Sequence, residues 1–156
     1  MKIKIFHGSR DCFNNILLYK CYDIGFHCGT LEQAIHRIID GGTCYVKTFF
    51  NSYIYEFDID INEKEMITLP DCIFWADLSI VKEKLSNKYP SMIIDNINSL
   101  ESLREYLVDR SIKYIRYKNE IEGKGYSYIL LDENINFTRY TVRDIINKIS
   151  EQYGKS

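Results

Sequence analysis

The sequence has no apolar run approaching the ~20 residues of a membrane-spanning helix, and its opening MKIKIFHGSR turns polar too soon for a secretory signal. A cytoplasmic location with no membrane partner is expected. Paired cysteine motifs are also missing. The five cysteines, Cys12, Cys21, Cys28, Cys44 and Cys72, are odd in number and form no CxxC, which argues against a disulfide framework and suits a reducing compartment. Cys12, Cys21, His27 and Cys28 match no common zinc-knuckle spacing, so buried thiols are expected there and no metal. Charge of one sign is lacking too. With 20 Lys and Arg against 22 Asp and Glu, the formal net charge is −2, and no long-range positive field would gather nucleic acid. A single local cation could still hold a pyrophosphate.

What the chain does contain is the composition of an ordinary globular domain: 46% hydrophobic and 27% charged residues over a length of 156. At that size roughly two thirds of the unfolded surface can be buried around one core. No repeat, low-complexity run or linker marks a boundary, so residues 1–156 are expected to form a single domain. Thirteen Tyr and eight Phe supply flat, amphipathic surfaces that suit strands and also suit a pocket for a planar ligand.

Residues 2–6 alternate Lys-Ile-Lys-Ile-Phe, a strand pattern that delivers His7, Gly8 and Ser9 at its end. Residues 22–28 read as a second short strand containing Gly25. Thr30 and Gln33 form a capping box, and Leu31, Ala34, Ile35 and Ile38 continue at helical spacing until Gly41-Gly42. Residues 45–50 and 53–61 read as strands joined by a turn at Asn51-Ser52, the second with Tyr53, Tyr55, Phe57, Ile59 and Ile61 on one face. Helices are expected over residues 71–85, from Ser99 onward, and from Thr141 onward. Residues 112–117 and 126–132 complete the strands, joined by a loop rich in Glu, Lys and Gly. Strands and helices mix without regular βαβ alternation, and the strand pairs at both ends of the chain read as antiparallel, so the expected class is α+β.

Three segments place potentially reactive groups beside glycines at strand ends. They are Phe6-His7-Gly8-Ser9, the run Gly25-Phe26-His27-Cys28-Gly29-Thr30-Leu31-Glu32-Gln33-Ala34, and residues 117–132 with Asn119-Glu120-Ile121-Glu122-Gly123 at their head. In this order and register they resemble the ADP-ribosyltransferase superfamily, particularly its small phage and mobile-element members, and the plan is similar to phage-encoded anti-CRISPR ADP-ribosyltransferases. The resemblance implies a split antiparallel β-sandwich with flanking helices and NAD⁺ in a central cleft. It implies an enzyme that transfers ADP-ribose from NAD⁺ to a protein acceptor and releases nicotinamide.

Carried over by residue, the resemblance assigns catalysis to Glu122, His7 and His27, with Glu120 as second choice for the acid. NAD⁺ contacts fall to Gly8, Ser9, Phe26, Thr30, Asn119, Ser127 and Tyr128. His7 would hydrogen-bond a ribose hydroxyl, Gly8 and Ser9 would let backbone approach the nicotinamide amide, and Phe26 and His27 stand where relatives carry a stacking Tyr. One position departs from the pattern. Poly-ADP-ribose-type members carry their catalytic Glu on the strand where this chain has Ser127, and a hydroxyl cannot offset the positive charge that develops as the nicotinamide bond breaks. That leaves two alternatives open, an NAD or ADP-ribose binder acting by contact and an NAD glycohydrolase transferring to water.

Overall fold

A computed structural model describes residues 1–40, 45–119 and 121–154. The expected helix stop at Gly41-Gly42, together with Cys44 and Glu120, lies outside them. The protein is α+β, with two sheets. In the first, β1 (Lys2–Ser9) pairs antiparallel with β3 (Tyr53–Asp60) along its whole length, from Lys2 opposite Asp60 to Ser9 opposite Tyr53, and β7 (Thr138–Thr141) flanks β3. The second sheet has the order β2 (Phe26–Cys28), β6 (Tyr126–Leu130), β5 (Tyr114–Lys118), β4 (Met66–Leu69). The β5–β6 pair is antiparallel as expected, whereas the β4–β5 pair is parallel, so the antiparallel sandwich that the resemblance implies does not extend to that edge.

Residues of both sheets meet in one apolar cluster, Ile5, Tyr55, Phe57 and Ile59 from the first with Tyr114, Tyr128 and Leu130 from the second. α3 (Leu78–Lys88) and α4 (Leu100–Asp109) cover the outer face of the second sheet through Val81, Leu85, Leu103 and Leu107. α1 (Leu31–Asp40) and α5 (Val142–Gly154) cover the first through Ala34, Ile38, Val142 and Ile145. Ile54, which alternation would point to solvent, is fully buried because these helices close that face. A single backbone bridge stitches β1 to the end of β2: Phe6 and Gly29 exchange N–H···O bonds of 2.7 and 2.8 Å.

The capping box at α1 forms reciprocally, with Gln33 N–H donating to Thr30 Oγ1 at 3.1 Å and Thr30 N–H to Gln33 Oε1 at 3.0 Å. α1 then packs directly on β1, where a Cβ on Gly8 would collide with the Ala34 carbonyl. Three readings are corrected. Residues 45–50, rich in β-branched and aromatic types, are not a strand: they include α2 (Val46–Phe50), whose Phe49 and Phe50 pack beside α5, and tertiary packing overrides their β propensity. Residues 22–25 form bends, leaving only three residues of strand. α3 starts at Leu78, not near residue 71, because Asp77 Oδ1 caps it by accepting from Ile80 N–H while Asp71 Oδ1 accepts from Ile73 N–H in a turn of its own. Among the described residues no helix is long and apolar enough to cross a membrane.

Candidate functional site

β1 and β2 carry His7 and His27 to the stitch between the sheets, and the two rings have opposite surroundings. His7 Nδ1–H donates to the His27 carbonyl oxygen at 2.6 Å, which fixes its tautomer because a carbonyl can only accept. Its ring lies against Phe26, centroids 4.1 Å apart, with Phe13 at its edge. Burial first, then the positive charge of Arg37, pushes the His7 pKa down to about 3, so the ring is neutral and its Nε2 offers a lone pair.

His27 is buried between two polar partners. Nδ1 lies 3.0 Å from the Tyr117 hydroxyl, and Nε2 approaches Asp23 Oδ2 to 2.9 Å along a direction bent from the ideal hydrogen bond. Burial raises the Tyr117 phenol above its ordinary value, so it keeps its proton. At Asp23 burial pushes upward, yet the bond and charge of His27, the Gly25 N–H and Arg37 outweigh it and hold the carboxyl below its usual range. Arg104 of α4 anchors the bend by donating to the Ile24 and Asp23 carbonyl oxygens at 2.7 and 3.2 Å.

The loop between β5 and β6 is folded around Asn119. Its Oδ1 accepts from the N–H groups of Ile121 and Glu122, both at 3.1 Å, and its Nδ2 donates to Ser127 Oγ at 3.1 Å. Ser127 Oγ–H in turn donates to Gln33 Oε1 at 2.9 Å. Glu122 is half-buried, and its carboxylate has no ion pair with a described residue.

A cavity of about 840 Å³ opens here, walled by Asp23, His27, Arg37, Trp75, Tyr117 and Glu122. Ile73, Phe74 and Ile121 also line it and are 60 to 62% exposed, so apolar side chains face solvent on both sides of its mouth. A space of about 20 Å³ shares His27, Arg37, Tyr117, Asn119 and Glu122 with it and is also lined by His7, Gly8 and Ser127. Arg37, on α1, borders both spaces, and its guanidinium makes no hydrogen bond or ion pair with a described residue. Trp75 is buried, and its Nε1–H also has no partner among the described residues.

Of the residues singled out from sequence, Glu122, His27 and Asn119 line the large cavity, and His7, Gly8 and Ser127 line the small one. Ser9, Phe26, Thr30 and Tyr128 line neither. Ser9 Oγ accepts from Asp11 N–H, Phe26 stacks on His7, Thr30 caps α1, and Tyr128 fills the core between the sheets. Asp23, Arg37, Trp75 and Tyr117 were not anticipated. Arg37 was within reach of sequence reasoning, since it falls one turn beyond the buried Gln33 on the same helix face. Among the described residues no group of three or more His, Cys, Asp or Glu is placed to hold a metal ion. The chain matches no protein-family model, no curated protein and no solved structure.

Proposed function

We propose that this chain is an NAD⁺-dependent ADP-ribosyltransferase of the cytoplasm, with the split-sandwich fold of that superfamily, which modifies a protein and releases nicotinamide. The observation that carries the reading is the guanidinium of Arg37, which no described residue pairs, in a cavity that also holds the carboxylate of Glu122, likewise without an ion pair among the described residues. A half-buried Arg with no partner is costly unless an anion completes it, and a pyrophosphate matches its planar fork. Trp75 and Tyr117 add aromatic walls, and the Trp75 N–H lacks an acceptor that a ligand oxygen or ring nitrogen can supply.

In this reading the nicotinamide–ribose C–N bond breaks, its electron pair leaves with nicotinamide, a lone pair of the acceptor side chain forms the new bond to C1′, and the proton that the acceptor sheds passes to solvent. Glu122 holds the ribose 2′-OH and offsets the positive charge gathering on the ring. His7, neutral and aimed by the His27 carbonyl, accepts a hydrogen bond from a ribose hydroxyl at Nε2. Ser127 cannot serve as the acid, since its hydroxyl is buried and spent on Asn119 and Gln33. The same fact favours a second reading, a binder of NAD⁺ that acts by contact.

Titration calorimetry with NAD⁺ and chromatographic assay of nicotinamide in the presence of cell lysate test both. Binding with release supports the transferase. Binding without release leaves the contact reading, and no heat with millimolar NAD⁺ removes both.

A further inference from the structure

The Glu122 loop hangs between two strands, yet its attachment is to a helix. Gln33, only 3% exposed, directs Nε2–H bonds to the carbonyl oxygens of Gly123 and Gly125 at 3.2 and 3.3 Å. Its Oε1 accepts from Thr30 N–H at 3.0 Å and from Ser127 Oγ–H at 2.9 Å. Two donors and two acceptor lone pairs are all a carboxamide has, so every one is used.

A capping box asks only for the Thr30 bond. The other three reach roughly 90 residues along the chain, and the backbone makes room for them. A Cβ on Gly29 would overlap the Gln33 carboxamide, and Gly123 and Gly125 adopt φ of 138° and 111°, which side chains rarely allow. Helical spacing then puts Arg37 one turn beyond Gln33.

We propose that Gln33 is a positioning residue: by clasping the loop at Gly123, Gly125 and Ser127 it sets the Glu122 carboxylate at a fixed distance from Arg37, with α1 as the ruler between them. The proposal rests on the role given to Glu122 above.

Gln33→Glu tests it, because the variant keeps the shape and the accepting oxygen but replaces the NH₂ with an oxygen that repels both glycine carbonyls while ionised. Protonation restores one donor. At about pH 8 the variant is expected to release nicotinamide at least tenfold more slowly than the parent, with NAD⁺ affinity within about threefold because Arg37 is untouched. Its protection factors for the amides of residues 121–125 are expected to drop in parallel. Both deficits should close as pH is lowered toward 5. Gln33→Leu, with no donor at any pH, should show no recovery.

Glu32, Glu122, His7 and Arg37 also carry or can carry charge around this clasp, so the parent is profiled alongside and the comparison is between the two curves. Unchanged loop protection in Gln33→Glu at pH 8 overturns the proposal, as does lost protection with release like the parent's. If the parent releases no nicotinamide, the transferase reading fails by itself, and a pH-reversible loss of loop protection still supports the clasp.

Discussion

On one side of the cavity, residues 121–127 are bound to β5 and to α1 through Asn119, Ser127 and Gln33, whose own side-chain polar groups are engaged in hydrogen bonds. On the other, residues 71–77 depend on two aspartate turns, expose Ile73 and Phe74, and put Ile73 at φ 60°, a left-handed conformation that a β-branched residue resists. One wall holds its shape by hydrogen bonds that no water needs to replace. The other holds it against local preference, with Trp75 and Cys72 as its buried anchors. A wall that fixes geometry and a wall that presents surface are different tasks, and the chain separates them.

Glu122→Gln strikes the geometric wall at its chemical end, and the largest effect is expected there. If the proposed transferase reading holds, nicotinamide release should fall roughly 10²-fold with NAD⁺ affinity nearly unchanged, since the amide keeps size and one oxygen but loses the charge that reading assigns to the transition state. Equal rates for parent and variant would move the carboxylate role elsewhere.

Ser127→Ala probes the same wall structurally. Removing the hydroxyl leaves buried Asn119 Nδ2 and one lone pair of Gln33 unmatched, so a loss of about 1–3 kcal/mol is expected in urea unfolding. A change within error would mean the network is dispensable.

The effect of pH is smaller per unit. His7 has a folded pKa of about 3 against an ordinary 6.5, so between those values the unfolded chain binds a proton that the folded one does not. Stability should therefore fall as pH drops from about 6.5 toward 3, by at most about 1.4 kcal/mol per pH unit. Asp23, held below its ordinary range, adds its own loss only further into acid. Urea midpoints of His7→Gln should lack the first slope and keep the second; a variant that retains both would show the slope comes from another group.

The smallest effect is expected on the presenting wall. Ile73→Asn relieves the left-handed strain at a residue that is 62% exposed, so thermal unfolding should show a gain of up to about 1 kcal/mol. A loss would show that Ile73 packs more than its exposure suggests.

The start of α1 and the long strands of the first sheet were legible before the structure. Thr30 and Gln33 announce α1 because a capping box is local chemistry, and the alternation of 2–6 and 53–61 needs only a two-residue period. The clasp was not legible, since nothing in the run from 30 to 34 says that a glutamine side chain will meet residues 123 and 125. Asp23 and His27 are four apart, a spacing that separates side chains on a strand; they meet only because residues 22–25 bend. β4 and β7 are four residues each, too short for a period to register, and β4 is defined by its partner β5 alone.

The pairing of β2 with β6 has a consequence in time. Phe26, His27 and Cys28 find their strand partners at Leu130, Ile129 and Tyr128, roughly 100 residues later, and β6 itself pairs with β5. A ribosome making this chain releases His7, His27 and Arg37 long before the strand that braces them exists, and non-local pairing of this kind is slow to close. The cavity therefore cannot assemble on a nascent chain that ends before about residue 130, and any activity it has waits for that strand to emerge.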